Sequence, residues 1–315
     1  VPAGSILFIK PGSLGDVVHA LPVAAAIHRA WPESRLSWVI DPRWQPILDG
    51  NPSVSESVPF PRQEFRGAAG LLRGAQWLGG LRDRRPDLAI DLQCLLRSAL
   101  IARAAHSRRV IGLSDAREGA GLFYTESAAV RPDQHAVDRY LSVLPLLGIP
   151  IPKQPEFPLT EGDPIDAPED FVLLHPFARG AGKSLDDFSV RALCEKIAGP
   201  IVLAGMGTPP APLPARVTDL TGRTTLAQLI WLLRRARCVI SVDSGPMHLA
   251  AAVGTRLLSI HTWSDPRLVG PYSRDAWIWQ GGSLRPQDFN APLQPEKQPI
   301  GHDLNVIAEW AQAPA

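Results

Sequence analysis

A short apolar run that stops at small residues and restarts as a helix is what most narrows the folds open to this chain. It occurs first at Ser5-Ile6-Leu7-Phe8-Ile9-Lys10, which leads into Pro11-Gly12-Ser13-Leu14-Gly15-Asp16. A helical stretch follows over 17–30, with an apolar stripe through Val18, Leu21, Ala25 and Ile27. An uninterrupted apolar run marks a strand buried on both faces, the kind found in parallel sheets covered by helices. A second strand over 35–40 closes the unit as β-α-β, so an α/β protein with doubly wound parallel sheets is predicted.

The pattern continues. Residues 57–60, 88–92 and 109–112 read as strands, and 68–84, 98–105 and 134–147 as helices. A proline-rich connection over 150–168 predicts a boundary between two Rossmann-like domains, 1–155 and 156–315. The second half repeats the architecture without the sequence, with strands at 171–175, 201–204, 239–242 and 256–261 and helices at 189–197 and 226–235. A last helix, 304–311, lies far in sequence from its neighbours and is expected to pack back on the first domain. Two such domains predict a ligand cleft between the carboxyl ends of their sheets.

Composition removes several alternatives. A net charge of +1 gives no electrostatic basis for broad adhesion to nucleic acid or membranes, and nucleic acid is not expected as a partner. Cys94, Cys194 and Cys238 sit in or beside apolar segments without C-x-x-C spacing, as reduced core residues of a cytoplasmic protein do. No secretory signal is expected before the first strand, and no uncharged apolar run reaches the roughly eighteen residues of a membrane span. Peripheral contact with a membrane surface stays compatible with this. The eight histidines lack H-x-x-x-H or H-E-x-x-H spacing and no D-x-D pair ends a strand, so neither a metal nor a cofactor is expected.

Four stretches can carry chemistry. In Cys238-Val239-Ile240-Ser241-Val242-Asp243-Ser244-Gly245-Pro246-Met247-His248 a strand hands over to a helix, with proline at its start and Asp243 or Ser244 placed to cap it. Such a junction is an anion site or an ordinary capped turn, with His248 in reach of the anion. Gly12-x-x-Gly15-Asp16 puts a carboxylate in the first turn of a helix, either as a proton acceptor or as a partner of the helix dipole. His175-Pro176-Phe177-Ala178-Arg179-Gly180-Ala181-Gly182-Lys183 offers Arg179 and Lys183 to a pyrophosphate or to solvent. Gly205-Met206-Gly207 presents bare backbone to a base or sugar, or is a plain turn. Arginines recur through the first half, and Arg62 and Arg66 share a helical spacing that would clamp an acidic group if their stretch is helical. The fingerprint G-x-G-x-x-G is absent, which disfavours a nicotinamide-dependent oxidoreductase.

Together, Ile9-Lys10-Pro11-Gly12-Ser13-Leu14-Gly15-Asp16-Val17-Val18-His19, Asp91-Leu92-Gln93 with Arg97-Ser98-Ala99, Ala116-Arg117-Glu118, His135-Ala136-Val137-Asp138-Arg139, Lys183 and Val242-Asp243-Ser244-Gly245-Pro246-Met247-His248 carry a resemblance. The chain resembles glycosyltransferase family nine, bacterial heptosyltransferases of the GT-B fold, over residues 6–272. The resemblance implies two Rossmann-like domains facing across a cleft, the first binding acceptor and the second nucleotide-sugar. It implies an inverting, metal-independent transfer from an ADP-heptose-type donor to the Kdo inner core of lipopolysaccharide. Asp16 would be the general base, and Ser13 and Gly15 would hold the reacting groups. Lys183 and the amides of Ser244 and Gly245 would neutralise the departing diphosphate. Asp243, His248, Arg179, Gly205 and Met206 would complete the donor side, and Arg62, Arg66, Arg97 and Arg117 would meet the anionic acceptor. A cytoplasmic location is expected, and peripheral contact with the cytoplasmic face of the inner membrane is compatible with it. After the strand 201–204 the family commonly places an acidic residue near the donor ribose, whereas here the next carboxylate is Asp219. The same fold with another nucleotide-sugar, or a sugar-nucleotide binding protein without turnover, are the alternatives.

Overall fold

A computed structural model describes residues 2–180, 182–262, 264–291 and 304–314, in two compact units, Val1–Leu159 and Thr160–Ala315. Both are α/β.

In the first unit the described strands are β1 (Ser5–Ile9), β2 (Arg35–Ile40), β3 (Glu56–Pro59), β4 (Leu88–Asp91), β5 (Arg109–Leu113) and β6 (Glu126–Ala128). They pair in parallel in the order β3-β2-β1-β4-β5-β6. Helices α1 (Leu14–Ala30), α2 (Gly67–Gly79), α3 (Leu96–Ala104) and α4 (Ala136–Leu141) connect and cover them. β1 is buried from Ile6 to Ile9 because helices close both faces of the sheet, which is why its sequence shows no alternation. Phe8 and Trp38 pack in neighbouring strands with ring centroids 4.4 Å apart and planes tilted by 54°, and the Trp38 indole donates to the Lys10 carbonyl at 3.1 Å. That bond fixes the path of the chain as it leaves β1.

The second unit holds β7 (Val172–His175), β8 (Ile201–Leu203), β9 (Val217–Asp219), β10 (Cys238–Val242), β11 (Leu257–His261), β12 (Trp277–Gln280) and β13 (Ser283–Pro286). Their order is β13-β12-β11-β10-β7-β8-β9, parallel except for the antiparallel β12–β13 pair. Its helices are α5 (Asp187–Lys196), α6 (Leu226–Arg235), α7 (Gly245–Val253), the short α8 (Pro266–Val269) and α9 (Leu304–Gln312). α9 packs against α5 and buries Leu304, Ile307, Ala308, Trp310 and Ala311 in the core of this second unit. The apolar face expected to lean on the first domain is therefore occupied here.

Each sheet grows outward in both directions from its first strand, β1 or β7. The order reverses between β1 and β4 and again between β7 and β10, the switch points where ligands of doubly wound sheets bind. All the candidate stretches except the Arg62–Arg66 segment, which follows the outer strand β3, leave the carboxyl end of a switch-point strand or of its neighbour.

Two helices and four strands depart from expectation. The helix predicted over 134–147 is α4 followed by a separate 3-10 turn, Leu144–Leu147, because Pro145 has no N–H to continue the ladder. The helix predicted over 68–84 stops at Gly79, where a second glycine follows. β6, β9, β12 and β13 were not expected, being three or four residues long and in part exposed. Among the described residues no helix is long and apolar enough to cross a membrane. All three cysteines are reduced and buried, and burial pushes the Cys94 thiol up to about 12 and the Cys194 thiol to about 11.

Candidate active site

At the switch point of the first unit, α1 begins with Ser13 in an extended conformation and Asp16 in its first turn. One carboxylate oxygen of Asp16, Oδ2, accepts from the Ser13 N–H and hydroxyl, both at 2.9 Å. The other, Oδ1, accepts from the Tyr140 hydroxyl at 3.0 Å and lies 3.5 Å from the Lys10 ammonium. Lys10 is buried, spans to the neighbouring strand by donating to the Leu92 carbonyl at 3.1 Å, and sits 4.8 Å above the Tyr140 ring. Burial by itself would raise the pKa of Asp16. The Lys10 charge, the two Ser13 donors and the Tyr140 hydroxyl together outweigh it and hold the carboxyl below its ordinary value. Asp16 is thus ionised at neutral pH, fixed on both oxygens, yet its side chain keeps 38% exposure. A carboxylate so held can accept a proton from a bound hydroxyl.

Around the carboxyl end of the same sheet lie Arg62 in the 3-10 turn Arg62–Phe65, Arg97 in the first turn of α3 and Arg117 in the loop after β5. All three are exposed. The Arg97 guanidinium, exposed but in part shielded from water by its neighbours, is held below its ordinary pKa first by that desolvation and then by Arg62, with Glu118 opposing and Arg117 adding to the effect. Mutual repulsion of this kind means the three cations share one neighbourhood, an arrangement that an anion relieves. Arg66 does not join them on one helix face. The 3-10 turn ends at Phe65, and Arg66 has the extended backbone that precedes α2 (φ −88°, ψ 146°), so the spacing of four residues does not align the pair.

In the second unit β7 ends at His175 and β10 at Val242, side by side. Lys183 comes back from the loop after β7 to Asp243, Nζ to Oδ2 at 2.8 Å, with both side chains largely buried. The loop itself is closed by Ser184, whose hydroxyl binds both the N–H and the carbonyl of Ala178, and by the Leu185 N–H on the Pro176 carbonyl. Arg179 is exposed at its tip. Ser244 starts α7 without capping it. Its hydroxyl turns back to donate to the Val242 carbonyl at 3.1 Å and lies 3.3 Å from Nδ1 of His175. The Gly245 N–H, like any at a helix start, has no acceptor within the helix, and Pro246 has no N–H to offer there. His248 is buried in that first turn and acts electrostatically on Asp243.

Burial raises the pKa of Asp243, but His261, Lys183 and His248 oppose it and the carboxyl stays below its ordinary value. Of these neighbours, His261 is itself pressed down to about 4 by burial and is neutral at pH 7, so Lys183 is the charge that keeps Asp243 ionised. His175 is likewise held near 4 by burial. Both imidazoles have folded pKa values below their unfolded value, so protons bind the unfolded chain first as pH falls from about 6.5 toward 4. Each should cost about 2 kcal/mol of stability at pH 5 relative to pH 7. Urea unfolding at the two pH values should therefore show a smaller acid loss for His261→Asn than for the wild type; equal losses would contradict the assignment.

Gly205 and Gly207 are explained from within the fold. A Cβ at Gly205, whose φ is +125°, would meet the His175 ring at 2.7 Å, and one at Gly207 would meet the Phe177 ring at 2.3 Å. The glycines make room for the β7 loop, while Met206 between them is 83% exposed and is the side chain this turn offers outward.

Sequence reasoning missed Lys10 and Tyr140 as partners of Asp16 and did not place Asp219. Lys10 ends the first apolar run, and its charge there was the available signal. Tyr140 lies 124 residues from the carboxylate it binds, and nothing in sequence links them. Asp219 pairs in register with Leu203, so β9 brings it to the carboxyl end of β8, where its carboxylate accepts from the Thr221 N–H at 2.9 Å and lies 3.4 Å from Arg223, and the Gly222 N–H donates to the Gly205 carbonyl at 2.8 Å. Among the described residues no group of three or more His, Cys, Asp and Glu side chains is gathered as metal ligands would be.

The sequence matches the family model Glycosyltransferase family 9 (heptosyltransferase) over residues 77–183 and 209–291. It is 30% identical to lipopolysaccharide heptosyltransferase 1 of Pseudomonas aeruginosa, over 85% of this chain and 81% of that one. It is 27% identical to lipopolysaccharide heptosyltransferase 1 of Escherichia coli, covering 92% and 96%. The solved E. coli heptosyltransferase WaaC with ADP-2-deoxy-2-fluoro heptose superposes with a TM-score of 0.76 at 25% identity, over 87% of this chain and 92% of that one. The fold is GT-B.

Proposed function

The chain belongs to glycosyltransferase family 9, the heptosyltransferases, and on that premise we propose that it moves a heptose from an ADP-heptose-type donor to the Kdo inner core of lipopolysaccharide. It is a glycosyltransferase; the particular donor, the heptosyltransferase I type and the stereochemical course are our reading. The observation that carries this reading is Asp16, an ionised carboxylate held on both oxygens at a switch point.

In this mechanism Asp16 takes the proton of the acceptor hydroxyl while that oxygen attacks the anomeric carbon. The bond from that carbon to the diphosphate oxygen breaks, and a single displacement inverts the configuration. Ser13 holds the base through two hydrogen bonds, and Gly15 keeps the start of α1 free of side-chain bulk. On the donor side Lys183 and the Ser244 and Gly245 amides meet the charge that develops on the departing ADP, a role a metal would otherwise fill. An ammonium has three N–H donors, so Lys183 can contact phosphate without leaving Asp243. Asp243, Arg179, Met206 and His248 line this side, and Asp219 supplies the carboxylate for the ribose hydroxyls. Arg62, Arg66, Arg97 and Arg117 receive the acidic acceptor, and the enzyme works at the cytoplasmic face of the inner membrane.

A panel of ADP-, UDP- and GDP-sugars tests the donor. ADP-heptose at 100 times its dissociation constant should stabilise the protein by roughly 2.7 kcal/mol, and with a Kdo acceptor it should release ADP. Preference for a uridine or guanosine sugar would select the alternative donor, and binding without turnover would select the non-catalytic one. Tyr140→Phe tests the base. Losing that donor lets burial raise the Asp16 pKa, so the acid limb of kcat/KM should move to higher pH; a limb that stays put would remove Tyr140 from the mechanism.

A further inference from the structure

A near-neutral total conceals an uneven distribution of charge. Residues 62–123 hold eleven arginines against six carboxylates, a net +5 in a chain of +1, and after Arg84 and Arg109 pair with Glu56 and Glu126 just outside the stretch an excess of +3 is left. Large apolar side chains stand in water over the same stretch: Leu71 and Leu72 on α2, Leu96 and Leu100 on α3, and Leu122, 90% exposed, in the turn Ala120–Phe123. Five of the ten such side chains among the described residues fall in this part, roughly a fifth of the chain. α2 touches α3, and α3 packs on that turn, so the five belong to adjoining elements of one unit.

Nor are these leucines core residues that failed to find a place. The inward side of α2 is filled by Trp77 and Leu78 against Phe60 and Phe65, and a Cβ on Gly70 would already strike the Phe65 backbone at 2.4 Å. On α3, Leu96, Leu100 and Arg103 follow at helical spacing along one exposed line. Leucines set among guanidiniums on a solvent face match a surface that enters the headgroup region of a bilayer, with apolar tips below the phosphates and cations among them.

We propose that the face formed by α2, α3 and the turn Ala120–Phe123 docks the enzyme on an anionic lipid bilayer. The proposal rests on the lipid-linked acceptor named above, because Arg62, Arg97 and Arg117 belong to the same positive stretch. An acceptor anchored in the bilayer then reaches them from the lipid beside this face.

The full-length protein, sedimented with phosphatidylglycerol-containing vesicles, should bind them, bind phosphatidylcholine vesicles weakly, and release as salt rises. The combined Leu71→Gln, Leu72→Gln and Leu122→Gln variant should partition about tenfold less or more weakly still, with transfer to a deacylated, water-soluble Kdo acceptor unchanged. If circular dichroism shows that variant misfolded, Leu100→Gln with Arg103→Gln takes its place. Absence of wild-type binding, equal binding by the folded variant, or a wild-type dimer that the variant dissociates would each overturn the docking face. Vesicle binding lost in the variant while neither protein transfers sugar would leave docking standing and sink the transferase reading. Transfer without vesicle binding would do the reverse.

Discussion

Asp16→Asn is expected to lower kcat by about 10²–10⁴-fold, the usual contribution of a positioned base, while the protein is still stabilised by the donor. Asparagine keeps an oxygen for the Ser13 N–H and hydroxyl but turns an amide toward Lys10, and it cannot take the acceptor proton. Lys10, buried, loses the carboxylate 3.5 Å away and keeps the Leu92 carbonyl. Because Asp16 is more than a third exposed, the stability cost should be modest, about 1–2 kcal/mol. ADP release, measured beside a urea curve, separates the two effects. Full activity in a folded Asp16→Asn protein would end the general-base assignment.

Lys183→Met should act differently, lowering kcat by about 10²–10³-fold, the range seen when one donor to a developing anion is removed, and weakening stabilisation by the donor as well. Methionine matches the stem of lysine but leaves Asp243, 11% exposed, without its cation. Breaking a largely buried pair from one side costs about 3–5 kcal/mol, so Lys183→Arg, which retains a charge for Asp243, provides the folded comparison. The contrast between the variants is diagnostic. Loss of turnover with donor binding retained belongs to the base, and loss of both belongs to the diphosphate partner. A Lys183→Met enzyme that binds and turns over donor normally would remove the lysine from the donor side.

The main strands of both sheets were legible because they are buried on both faces, and an apolar run such as Ile6 to Ile9 admits few other readings. Strands of another kind escaped. β9 is half-buried at every position, and β13 pairs antiparallel at the edge of its sheet, so neither has the composition of a central strand. In the candidate sites of the two units, the backbone placement of Asp16 in the first and of Lys183 and Asp243 in the second followed from strand ends. What sequence could not give was pairing over distance: Tyr140 with Asp16, or Asp219 with the end of β8. Arg66 shows the converse failure, since its spacing from Arg62 fits a helix and the chain makes a 3-10 turn there instead. Ser244 fits a cap, yet the Val242 carbonyl and His175 hold its hydroxyl.

The buried thiols make the chain its own reporter. With Cys94 held up to about 12 and Cys194 to about 11, hardly any thiolate exists at neutral pH, and little surface leads to the sulfur atoms. Alkylating reagents therefore register opening rather than the native chain. Because Cys94 lies in the first unit and Cys194 and Cys238 in the second, identifying which cysteine is tagged, and how fast, reads the unfolding of each half separately within one intact molecule.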